Sequence, residues 1–176
     1  MTRASKSWMA VVSAALLLAA LVGVVWARPH DRTQGADITR KVTLTGSDFS
    51  PHRNTDDWFN TGSVVVCFTG SCELAAPVVF PCLPSVTVER IKLHVYDNNG
   101  GQSANATLYR AHPSTGALVP LGEIESPVGT SSGLQTYTSP AINKVVWPSQ
   151  QAFIWLEIEG QFIDVYGVTV EYHRNM

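Results

Sequence analysis

Apolar and polar side chains alternate through the middle of this chain. Ile91, Leu93 and Val95 are apolar, and Arg90, Lys92 and His94 between them are polar. That is the period of a strand with one dry face and one wet face. Asn98-Asn99-Gly100-Gly101 interrupts it. Asn-Gly favours a type I′ turn, because both central residues of that turn need positive φ. With Asn99-Gly100 as the turn, Val95 would face Ala104, Leu93 would face Ala106 and Ile91 would face Leu108. On the other side His94, Lys92 and Arg90 would meet Asn105, Thr107 and Tyr109, and Glu89 would meet Arg110 at the open end. The pattern predicts a β-hairpin over residues 86–110.

Similar patterns recur on either side. Val42, Leu44 and Phe49 alternate loosely. Residues 47–61 are rich in turn formers and read as a long loop. Its Trp58 and Phe59 either cap the core or stand out as an aromatic platform, and burial energy favours the cap. Residues 63–68 read as a strand whose Val64-Val65-Val66 run lacks polar alternation, as at a sheet centre. Residues 119–124 and 134–137 are short strand candidates, and residues 143–149 a brief apolar touch and a turn. Ile154, Leu156 and Ile158 point one way, with Phe153, Trp155, Glu157 and Glu159 the other. Val168, Val170 and Tyr172 alternate with Thr169, Glu171 and His173, but Ile163 and Val165 have the opposite parity. One residue must be absorbed between them, and Gly167 is the natural place for a bulge.

No segment after residue 27 shows a helical period over ten residues. The expected fold is all-β: an antiparallel two-sheet sandwich, jelly-roll-like, with about eight or nine strands. Ile91, Leu93, Val95, Leu108, Ile154, Leu156, Ile158, Val168 and Val170 are its expected core.

The N-terminus departs from this pattern. Arg3 and Lys6 precede an uncharged run from Trp8 to Ala27, which ends in Val25-Trp26-Ala27. A basic start, an apolar middle and a small-residue end form a secretory signal. The run would span roughly 30 Å as a helix, the thickness of a bilayer core, and Trp8 and Trp26 bracket it. Residues 1–27 are therefore either a cleaved signal or an anchoring hydrophobic helix that ties residues 8–27 to the membrane. Both routes export the rest to the extracellular space or periplasm. Residues 28–40 form a polar linker and residues 41–176 the sandwich domain.

Export changes the reading of the cysteines, because disulfides are the default outside the cytoplasm. Cys67 and Cys72 flank the turn at Thr69-Gly70-Ser71. A hairpin with a four-residue loop would bring them opposite each other, so Cys67–Cys72 is the expected disulfide and Cys82 is left over. Charge excludes one class of partner. Twelve basic residues face fourteen acidic ones, for a net −2. Without Arg3 and Lys6 the balance is ten against fourteen, or −4, and no basic footprint for nucleic acid remains.

Little else carries chemistry. Gly129-Thr130-Ser131-Ser132-Gly133 spells G-x-S-x-G, but β-prone residues follow it where a nucleophile elbow needs a helix. No metal site is expected. Asp97 is the residue that a sandwich-type calcium site would use, and ordinary turn chemistry also accounts for it. The five histidines stand at no ligand spacing. No catalytic residue and no cofactor is expected.

The run APVVFPCLPSVTVERIKLHVYDNNGGQSANATLYR, with the later GVTVEY, resembles a recurring exported bacterial β-sandwich domain. That family is largely uncharacterised and carries an "aPV-x-LP, strand, Y-DN-turn, L-R" pattern. The resemblance spans Ala76 to Tyr172. It implies a jelly-roll-like sandwich and bacterial export, and no activity.

Two function classes suit such a chain. The first is a non-catalytic cell-envelope or extracellular module, structural or adhesive, whose partner is a second copy of itself. The alternative is a carbohydrate-binding module, with a cell-surface polysaccharide as partner. A hydrolase ranks third, for want of a nucleophile and base. Tyr96, Tyr109, Phe153 and Trp155 are the candidate ligand or interface residues. An exposed strip of them on one sheet would favour sugar stacking, and cover by a neighbouring subunit would favour assembly.

Overall fold

The computed structural model describes residues 38–53, 57–68, 70–81, 85–97, 101–129, 133–161 and 163–175. Expectations for residues 1–37, the Asn98–Gly100 turn, Cys82 and residues 130–132 lie outside the described residues. Among those described, twelve strands form two antiparallel sheets. They are β1 (Arg40–Leu44), β2 (Ser50–Pro51), β3 (Trp58–Asn60), β4 (Val65–Cys67), β5 (Ser71–Val78), β6 (Val86–Asp97), β7 (Ser103–Ala111), β8 (Leu118–Glu125), β9 (Gly133–Thr138), β10 (Lys144–Val146), β11 (Gln151–Glu159) and β12 (Ile163–Arg174). The excess over eight or nine comes from pieces such as β2, β3 and β10, only two or three residues long. No helix among the described residues is long and apolar enough to cross a membrane.

The larger sheet is built on the antiparallel pair β6 and β12, each twelve residues long. β9 and β10 share the other side of β6, while β1 and β4 share the other side of β12 and β3 extends β4. The smaller sheet runs β2-β5-β11-β7-β8. Inward positions of both sheets fill one core. All nine expected core residues lie in it at 0% exposure. Ala76, Ala104, Ala106 and Ala152 are also buried there, on the smaller sheet.

The expected hairpin over residues 86–110 does not form. β6 belongs to the larger sheet and β7 to the smaller, so the chain crosses the sandwich between them. Ile91 pairs with Val170 and Leu93 with Val168, while Ala106 and Leu108 pair with Leu156 and Ile154. Glu89 does not meet Arg110. Glu89 sits beside His173, and the Arg110 guanidinium donates to the Val145 carbonyl at 3.1 Å. An alternating pattern is blind to this choice, because a hairpin and a crossing bury the same faces. Strand length separates them: twelve-residue β6 matches twelve-residue β12, and nine-residue β7 matches nine-residue β11 end to end.

The disulfide joins Cys67 and Cys72, with Cα atoms 5.9 Å apart. The hairpin expected to bring them together is absent. Cys67 ends β4 in the larger sheet and Cys72 lies at the start of β5 in the smaller, so the bond ties one sheet to the other. Trp58 packs against the core as expected, but Phe59 is 52% exposed and lies 6.2 Å from Phe68, ring centre to ring centre.

The bulge expected at Gly167 is present. Val165 pairs with Val95 and Gly167 with His94, leaving Tyr166 as the extra residue. Gly167 has φ +153°, and a Cβ there would meet the Leu44 carbonyl oxygen at 2.3 Å. This is also where β12 exchanges β4 for β1 as its neighbour. The bulge therefore serves a junction of three strands, and glycine fits it for both conformation and space.

Candidate functional site

The alternation of β11 sends Phe153, Trp155, Glu157 and Glu159 to the outer face of the smaller sheet. Register then assembles the rest. Phe153 lies between Pro77 of β5 and Tyr109 of β7. Its ring and that of Tyr109 are nearly parallel, 16° apart with centres 5.5 Å apart. Two residues on, Trp155 lies between Ala75 and Thr107. His52 approaches Trp155, with ring centres 4.2 Å apart. The His52 backbone N–H donates to the Glu73 carbonyl at 2.8 Å, which extends β2 past its last paired residue. Tyr109, Phe153 and Trp155 are all half-buried. Three of the four expected aromatics thus share one face.

Tyr96 does not join them. It lies on the outer face of the larger sheet, between Asp164 of β12 and Leu134 of β9. Partial burial there raises the Asp164 carboxyl above its usual range. The reason is the crossing after β6, which puts Tyr96 and Tyr109 on opposite sheets, where a hairpin would have given them one. Asp97 closes β6 on the inward side at 1% exposure. Among the described residues no three His, Cys, Asp or Glu side chains converge as a metal site.

A groove of ≈ 590 Å³ adjoins the aromatic strip, at the end of the sandwich where β5 and β10 finish and β6 and β11 begin. Phe153 belongs to both strip and groove. Behind the groove Phe80 packs edge-on against Tyr172, with ring centres 4.9 Å apart. The start of β6 is fixed by Asn175, whose side-chain amide donates to the Ser85 hydroxyl at 3.0 Å. Residues 147–150 make a closed turn over one side. The Gln150 N–H donates to the Trp147 carbonyl at 2.9 Å, and Gln150 Oε1 accepts the Trp147 N–H at 3.1 Å. That turn presents Trp147 at 55% exposure.

Trp147, Gln150, Gln151, Phe80 and Ser50 were not among the residues that the sequence singles out. The one local signal is a tryptophan in a turn, Trp147-Pro148, where a buried side chain has no place. What brings the turn beside Phe80 and Phe153 is strand pairing far away in sequence.

On the opposite outer face several polar side chains pair with one another. The His94 ring bridges two hydroxyls, Thr136 at 2.9 Å through Nδ1 and Thr169 at 3.0 Å through Nε2, and Thr169 reaches Thr43 at 3.0 Å. Burial, and then the nearby Lys92 ammonium, lower the His94 pKa from 6.5. Glu171 lies between Lys92 at 2.7 Å and Lys41 at 3.3 Å. The hydrogen bond from Lys92 is the main reason its carboxyl titrates below the usual range.

No family model matches the chain. No curated protein matches it either. Among solved structures it is similar to the C-terminal CBM6 of LamC, a marine laminarinase from Zobellia galactanivorans, at 17% identity and a TM-score of 0.46, over 74% of this chain and 98% of that one. It is similar to CsCBM6-3 from Clostridium stercorarium, solved with cellobiose, at 13% identity and 0.46, over 76% and 94%. It is also similar to the xylan-binding module CBM15, at 11% and 0.47, over 79% and 100%. At these identities and scores the likeness assigns no residue a role.

Proposed function

We propose that this domain is a non-catalytic carbohydrate-binding module that holds a glycan in the groove between Trp147 and Phe153. The lining of the groove carries the reading. Its walls are aromatic and aliphatic, serine and glutamine side chains stand among them, and no charged side chain is among the described residues that line it. A sugar ring has the matching character, with C–H faces that lie on aromatic rings and hydroxyl edges that bond to amides and hydroxyls. Few, placed polar groups in an apolar cleft are what a small-ligand site needs. No histidine, lysine or carboxylate is among the described lining residues, and the reading is of binding without turnover. The disulfide between the sheets supports a place outside the cytoplasm.

Self-assembly through a basic face stacked on an acidic one has less support. Lys92 of β6 and Glu171 of β12 pair with each other inside one sheet, so they do not form two faces of opposite charge. Affinity electrophoresis in gels that contain soluble β-glucan, xylan or mannan tests the proposal. The protein should be retarded in at least one, Trp147→Ala should lose most of that retardation, and Tyr96→Ala should keep it. Unretarded migration in every gel, or an unaffected Trp147→Ala protein, would remove the carbohydrate reading.

A further inference from the structure

The outer face of the smaller sheet carries a charge distribution that bears on which glycan could lie there. From the groove outward along β11, cross-strand rows follow in register. The first is Pro77, Phe153, Tyr109 and Pro120; the second Ala75, Trp155, Thr107 and Glu123; the third Glu73, Glu157, Asn105 and Glu125. Glu159 lies in the row beyond. The face therefore changes from aromatic to acidic over four residues of one strand. None of its outward strand positions is a lysine or arginine. Arg53 is held 3.0 Å from Glu73, and Arg110, beside Tyr109, donates to the Val145 carbonyl at the groove end. Asn105 donates to Glu123 at 2.6 Å. Glu73 and Glu157 stand directly opposite each other, a like-charge pairing that costs stability.

We infer that the site selects glycans by charge: it takes a neutral chain that leaves the groove over Phe153 and Tyr109, and it excludes chains of uronic acids. The inference rests on the carbohydrate reading and deepens it. The carboxylates are not themselves the binding site. They border it, and Glu157 is about 7 Å along the strand from Trp155. That is inside the Debye length of about 10 Å at 0.1 M salt, so a carboxylate on a sugar over Trp155 would meet repulsion that salt screens only in part. Among the described residues that line the groove, none is charged. A face that repels the wrong ligand gives specificity without a new attractive contact.

Calorimetric titration of the whole protein with cellohexaose and mannohexaose, and with each after oxidation of its C6 hydroxymethyl groups to carboxylates, tests this. In about 0.02 M salt the better neutral hexamer should bind at least about tenfold more tightly than its oxidised form. About 0.5 M salt, methyl esterification of the oxidised sugar, or the Glu73→Gln/Glu157→Gln protein should each narrow the gap to about threefold or less. Equal binding of both forms at low salt overturns the inference while the carbohydrate reading stands. So does a gap that neither salt nor the glutamine variant changes. If neither form of either hexamer binds, the inference falls, and retardation in a xylan gel would still keep the carbohydrate reading.

Discussion

Ser126 and Ser139 each fill a ladder position that a backbone carbonyl would otherwise hold. Ser139 N–H donates to the Ile91 carbonyl at 2.9 Å, and its hydroxyl accepts the Ile91 N–H at 3.0 Å. Ser126 repeats this with Ala104, at 2.8 Å for both bonds. Proline follows each serine, and the restriction it places on the residue before it keeps the serine extended at the strand end. Ser139→Ala leaves a buried N–H without an acceptor. It should cost about 1–3 kcal/mol in urea unfolding, and a loss below about 0.5 kcal/mol would contradict the bond's role. His94 gives a second prediction. Its depressed pKa means that the unfolded chain binds the proton more readily. The stability from neutral His94 is thus full above about 6.5 and falls as pH drops through the range below it. The melting temperature should fall between about pH 7.5 and 5.5, by more than it does for His94→Gln. Parallel curves for the two proteins would show that His94 is not the group responsible. Neither device is legible in the sequence, since Ser-Pro and a polar outward His are common and their partners are distant.

Among elements, the β6–β7 crossing sets the architecture. Alternation identified both strands and their dry faces, because burial on one side imposes a period of two whatever the partner. It could not choose the partner. The bulge at Gly167 was legible, because a parity break between Val165 and Val168 demands an extra residue. The Cys67–Cys72 pairing was legible from spacing, although the geometry behind it is a link between sheets. Leu93 and Leu156 face into the core from opposite sheets, both at 0% exposure. Truncating either to alanine should cost about 2–5 kcal/mol, read from denaturant midpoints at unchanged m. A cost below about 1 kcal/mol at both positions would mean that the core does not depend on them.

In the whole molecule, the two outer faces differ in kind. On the larger sheet, Glu171 pairs with two lysines and Glu89 with His173. On the smaller sheet, aromatic rows lead from a groove with no charged side chain among its described lining residues into a run of carboxylates. Of this candidate site the sequence disclosed the half carried by strand parity, Tyr109, Phe153 and Trp155. The other half, Trp147 with Gln150 and Phe80, sits on turns and strand ends whose meeting depends on the order of strands in the sheets. The measurement closest to the central claim is a two-dimensional amide NMR titration of the protein with the neutral glycan that retards it in gels. Shifts should gather at the Trp147 indole, the Gln150 and Gln151 side-chain amides and the backbone of residues 77–80 and 152–154, with Tyr96 and Leu134 unmoved. Shifts confined to the face around Tyr96, or none at saturating sugar, would contradict it.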